Sequence, residues 1–156
     1  KLQGSGFANR AKFFDTVQHC ARLLGKRDGT QKAGHIRIHA GDPRQESPDE
    51  LRESPAERLD RWKRALQPVA AQYGHKFRVS LWANTPGGKR FHDRYLLTDQ
   101  CGVVVPGGLD FMEDPTQANL SGWNLLDYAQ VADILQNEFH PHKSPYEYLG
   151  MCEVNP

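Results

Sequence analysis

The sequence predicts an α/β fold, a mixed β-sheet with helices packed on it. Three observations carry that prediction. Apolar residues recur at helical spacing in three separated stretches, short runs of strict alternation lie between them, and turn-forming residues punctuate the boundaries. The resulting order, α-β-α-β-β-β-α, favours one mixed sheet covered by helices over an all-α or all-β arrangement.

Each element has its own local reason. Lys1 to Gly6, "KLQGSG", is polar, glycine-rich and starts without methionine, so residues 1–8 read as a linker or appended residues, and the natural chain is expected to continue upstream. From Asn9 to Leu24, Phe13, Phe14, Val17, Cys20, Ala21 and Leu24 form one apolar face, and Gly25 suits a left-handed helix end. "HIRIHA" alternates Ile36 and Ile38 with Arg37 and His39, the pattern of a strand. Two capping boxes follow, Ser47 to Glu50 and Ser54 to Glu57, each with serine at the cap, proline at the first helical position and glutamate three residues on. The second box starts the main helix, with Leu59, Trp62, Leu66, Val69 and Tyr73 as its stripe; Pro68 is expected to kink it and Gly74 to end it. "KFRVSLWA" and the stretch "RFHDRYLLTD", separated by "NTPGGK", read as a strand pair. "VVVPGGLDF" continues the sheet, and Val131, Ile134, Leu135 and Phe139 mark a last helix. The domain is placed at residues 9–140 and a C-terminal tail at 141–156.

Composition narrows the function classes. A chain of 156 residues, 38% hydrophobic and 25% charged, suits one globular domain. Its net charge of +1 announces neither nucleic acid nor a membrane, so any anion site must be local. No apolar run nears a bilayer span and no signal-peptide layout is present, so a cytoplasmic domain is expected. Cys20, Cys101 and Cys152 are odd in number and far apart, without CxxC, which indicates neither a disulfide framework nor a zinc cluster.

Within the strand at residues 90–99, side chains two apart share a face, so His92 and Arg94 point one way while Asp93, Tyr95 and Leu97 point the other. Asp99 lies in the following turn. Taken alone, a His-x-Arg pair is the polar face of an edge strand. The wider stretch, His92 to Asp99 followed by Gly107, Gly108 and Asp110, resembles the HxKxxxxD half-site and downstream glycine-rich element of the phospholipase D superfamily. Arg94 stands where that family has lysine, and Asp110 where it has asparagine. The "HDR" strand and "PGGLDF" are more similar still to the phospholipase-D-like domain at the C-terminus of MIT-domain proteins, a resemblance covering roughly residues 9 to 139.

The resemblance implies a phospholipase-D-like sheet with one half-site per chain. In the superfamily, one histidine attacks a phosphodiester to form a phosphohistidine, while a second protonates the leaving group. Carried over, His92 is nucleophile or acid, Arg94 clamps the phosphate, Asp99 supports, and Gly107, Gly108 and Asp110 complete the phosphate site. No cofactor or metal is called for. A single copy implies a homodimer whose two-fold interface supplies the second histidine. Asp99 favours a nuclease-like phosphodiesterase acting on nucleic acid. Arginine in place of lysine, the single copy and the closer MIT-type match favour the alternative, an inactive module that binds anionic phospholipid or a protein partner.

Other signals read as ordinary structure. His35, Arg37 and His39 share one strand face but lack a following aspartate or glycine pair, and are taken as exposed strand residues. His140 and His142 lie at a solvated helix end. Gly87-Gly88 is a turn. The basic run "RLDRWKR", residues 58–64, is the solvated side of a helix whose Trp62 faces inward.

Overall fold

The computed structural model describes residues 5–25, 35–41, 53–88, 94–98, 101–105 and 124–156. Among these residues the fold is mixed α/β, with two three-stranded sheets in place of the single sheet expected. By its internal contacts the chain divides into two compact units: Gln18–Phe91 with Pro141–Pro156, and Lys1–Val17 with His92–His140.

The first unit is built on sheet 1. Its strands are β1 (His35–Gly41), β2 (Lys76–Asn84) and β6 (Tyr146–Val154), in the order β1-β2-β6. β1 and β2 run parallel, joined through α2 (Pro55–Tyr73), while β6 is antiparallel to β2. A parallel pair requires such a crossover. The expected pairing of β2 with the strand containing Arg94 does not occur, because both edges of β2 are already taken. Phe77, Val79, Ser80, Leu81 and Trp82 are all buried, the signature of a central strand enclosed on both faces. Residues 141–156, read above as a tail, supply β6.

Helix α2 starts as its sequence predicts. The Ser54 hydroxyl accepts the Glu57 amide at 3.3 Å, and the Glu57 carboxylate accepts the Ser54 amide at 2.7 Å. The Ser54 amide first, and the Ser54 hydroxyl, which donates to the same carboxylate at 2.8 Å, hold the Glu57 carboxyl below its ordinary range. The helix runs through Pro68 and ends at Gly74, whose amide bonds Ala70 O at 2.9 Å. It covers the face of sheet 1 that carries Val79 and its cross-strand neighbour Cys152, since the Cys152 thiol donates to Leu59 O at 3.4 Å. Leu66, Ala70, Phe77, Val79, Leu81 and Val154 fill the layer between. Each large side chain so buried contributes about 1.5–3 kcal/mol.

A bulge between Leu81 and Trp82 shifts the β2–β6 register, and Gly150 sits opposite it with φ of 133°. Only glycine adopts that conformation without strain. At the other end of β2, His75 is buried and its Nε2 donates to Ala21 O at 3.0 Å. This bond ties the strand to the last turns of α1 (Ser5–Gly25), which begins four residues before the expected Asn9 and takes in part of the segment read as a linker. Helix propagation adds one hydrogen bond per residue fixed, so a well-packed helix extends readily into a polar stretch.

Sheet 2 belongs to the second unit. It joins β3 (Arg94–Leu97), β4 (Gly102–Val105) and β5 (Asn124–Leu126), all antiparallel. Leu126, Val131 and Ile134 form its core, with Tyr95, Leu97, Val104 and Phe139 packed against them. Helix α3 (Tyr128–Asp133) opens with a capping box in which Asp127 and Gln130 exchange bonds of 2.9 Å, and passes into a π-helical turn at Ile134–Glu138. Of the apolar stripe expected here, Leu135 is exposed while Val131 and Ile134 are buried. Among the described residues no helix is long and apolar enough to cross a membrane.

Candidate functional site

Five of the predicted site residues, His92, Asp99, Gly107, Gly108 and Asp110, lie outside the described residues. Arg94 is the first residue of β3, and its Cα is paired with that of Val105, the last residue of β4. The hairpin is closed at its other end by Thr98, whose amide donates to Cys101 O at 2.9 Å and whose hydroxyl accepts the Cys101 amide at 3.1 Å. The chain therefore enters β3 and leaves β4 at the same end of sheet 2.

The second cluster of ionisable groups belongs to sheet 1. Parallel register sets His35 opposite Lys76, Arg37 opposite Arg78, and His39 opposite Ser80, all on the face away from α2. His35 and Arg37 are exposed, as expected of them, but His39 is not. Trp82 Nε1 donates to His39 Nδ1 at 3.1 Å, the two rings lie 5.9 Å apart at 27°, and Tyr148 leans on the indole at 5.1 Å. An indole N–H can only donate, so Nδ1 is an acceptor and the imidazole proton sits on Nε2. Burial first, and the nearby Arg37 charge second, lower the His39 pKa to about 4. At neutral pH the ring is therefore an uncharged Nε2–H donor, suited to holding a polar group but not to acting as a cation.

Further along the same face, the Arg78 guanidinium grips one Glu153 oxygen through Nε at 3.0 Å and Nη2 at 2.6 Å. That hydrogen bond, the Arg78 charge, and the positive fields of His35 and Lys76 hold the Glu153 carboxyl below its usual range.

No known family, curated protein or solved structure matches this chain. The chemistry rests on its own residues.

Three other candidates resolve simply. Gly87 and Gly88 form a turn closed by the Gly88 amide on Thr85 O at 3.0 Å. His140 and His142 are exposed, and among the described residues no three His, Cys, Asp or Glu side chains gather as metal ligands would. The basic run at 58–64 corrects the expectation of a fully solvated face. Arg58 is only 2% exposed, with Nε 3.8 Å from a Glu53 oxygen that Arg61 also contacts at 2.9 Å. Arg58 falls one turn before Trp62 on the row that continues to Leu66 and Ala70, so it lies along the packed stripe.

Proposed function

We propose that this chain is a phosphodiester-directed, phospholipase-D-like domain, acting as a nuclease-type phosphodiesterase through His92 in a homodimer. Its spacing of His92, Arg94 and Asp99, followed by Gly107, Gly108 and Asp110, is the basis of the reading. The observation that carries it is the pairing of Arg94 with Val105. Through that hairpin the segment carrying His92 and the segment carrying Gly107, Gly108 and Asp110 attach to β3 and β4 at one end of sheet 2, while Asp99 follows Thr98 at the other end. Arg94 then neutralises phosphate oxygens with its planar fork, and His92 takes the phosphoryl group.

A second reading is a silent module that binds anionic phospholipid, favoured by arginine where the superfamily has lysine. Hydrolysis of a single-stranded oligonucleotide, with and without chelator, separates the two. The enzyme reading expects activity that survives chelation, vanishes in His92→Ala, rises in Arg94→Lys and falls on dilution as the dimer separates. An inert protein that binds anionic vesicles supports the second reading. Full activity in His92→Ala removes the histidine mechanism.

A further inference from the structure

The face of sheet 1 turned away from α2 carries a block of like charges that the fold itself does not favour. Parallel register places Arg37 directly across from Arg78, and His35 across from Lys76. Like charges opposite one another on adjacent strands are destabilising. The register cannot slip to separate them, because Ile38, Phe77 and Val79 are buried on the other face and a one-residue shift would expose that set. Glu153 offsets one charge of the block. Arg37, Lys76 and Arg78 against Glu153 leave 3 − 1 = +2 on this face, in a chain whose total is +1.

The block is open to solvent. His35, Arg37 and Lys76 are exposed, and the side chains of Arg78 and Glu153 are 43% and 48% exposed. Lys76 and Arg78 stand two residues, roughly 6.6 Å, apart along β2, and Arg37 lies about 4.8 Å across from Arg78 on β1. With the His35 imidazole opposite Lys76, that makes a two-row array.

We propose that this array is a docking surface for the phosphate backbone of single-stranded nucleic acid. A flexible polyanion can lay successive phosphates along the two rows, and the contacts would read charge rather than base sequence. A bilayer is the weaker fit. Interfacial binding grows with the apolar area inserted, and of the large apolar side chains exposed among the described residues only Met151 belongs to this sheet. The inference stands independently of the phosphodiester reading, which concerns residues of β3, β4 and the segments joined to them.

The test uses the full chain and fluorescence anisotropy of a labelled oligothymidylate, titrated at about 50 and about 200 mM salt. Each phosphate contact on a single strand contributes about 0.7 to the slope of log Kobs against log salt, so Arg37→Gln/Lys76→Gln should lower the slope by about 1.4. Over that fourfold salt change the parent then loses about sevenfold more affinity than the variant. Lys63→Gln/Arg64→Gln on α2 should leave the slope unchanged. Arg37→Glu places opposite charges across the strands, so its unfolding midpoint should rise while its affinity drops, a combination that damage to the fold cannot produce. An unchanged slope in Arg37→Gln/Lys76→Gln, an equal drop in the α2 control, or binding to anionic vesicles without binding to the oligonucleotide overturns the proposal. Persistence of the effect in an Arg94→Ala background, whatever that change does to hydrolysis, keeps it separate from the function proposed above.

Discussion

His39 should make the stability of sheet 1 depend on pH, and the size of the effect follows from its surroundings. Its pKa moves from 6.5 in the unfolded chain to about 4 in the folded protein, because the ring is half-buried beneath the Trp82 contact and lies near Arg37. Between those values the unfolded chain binds a proton that the folded chain does not, so acid favours unfolding. Above 6.5 neither state holds the proton and the full stability is present; it is lost as pH falls toward 4. A gap of about two and a half units corresponds to about 3 kcal/mol, and the partial exposure of the ring brings this to about 2 kcal/mol. Urea unfolding at a series of pH values from about 7.5 to about 4.5 reads it, in the parent and in His39→Gln, whose amide oxygen can still accept the indole N–H. Glu57 and Glu153, whose lowered carboxyls also lose stability in acid, are present in both proteins and cancel in the difference. The parent should lose about 2 kcal/mol more than the variant across that range. Parallel pH profiles would mean that the folded ring takes up its proton as readily as the unfolded one, and that the account of the Trp82 bond given above is wrong.

Two further outcomes test the packing. Ser54→Ala removes the hydroxyl that receives the Glu57 amide and should cost about 1 kcal/mol in urea unfolding, with an unchanged m-value. Gly102→Ala should cost about 1–3 kcal/mol, because a Cβ there would lie 2.6 Å from Leu97 Cδ2 and 3.0 Å from a Val131 methyl; a neutral result would show that the β3–β4–α3 contact is looser than described.

What the sequence disclosed was mostly local. The Ser54 to Glu57 box, the Leu66 stripe and Gly74 declare α2 within a few residues, because caps and helical periodicity are short-range physics. The same short-range reasoning applies to the Asp127 and Gln130 box that opens α3, a signal as local as the apolar stripe that follows it. Strand partners are another matter. β6 alternates poorly, since the bulge beside Gly150 breaks its period of two, and its half-polar "YEYLGMCEV" resembles a tail. Without β6, β2 looked for its second neighbour in the next strand along the chain. The site divided in the same way. Parity alone put His39 beside Arg37, but its burial depends on Trp82, 43 residues away, and nothing in local spacing encodes that register. Arg58 was misplaced because its charge outweighed its position on the stripe.

The late arrival of β6 has a consequence for how the chain assembles. Its partner β2 ends at Asn84, and Tyr146 is the residue paired with it, so roughly sixty residues must be looped out before sheet 1 is complete. Closing a loop of that length costs about 3–4 kcal/mol of chain entropy beyond the constant term before any cross-strand contact returns it. Among the intervening residues β3 and β4 form a hairpin through a short turn and β5 runs directly into α3, while the β4–β5 pair closes roughly twenty residues at about 2.7 kcal/mol on the same measure. During synthesis, therefore, the β3–β4 hairpin can form while β2 still waits with one edge bare. That edge is a row of unsatisfied amides and carbonyls beside a strongly apolar strand, the kind of surface on which nascent chains mispair. Pairing among the intervening residues shortens the effective loop that must close before β6 reaches β2.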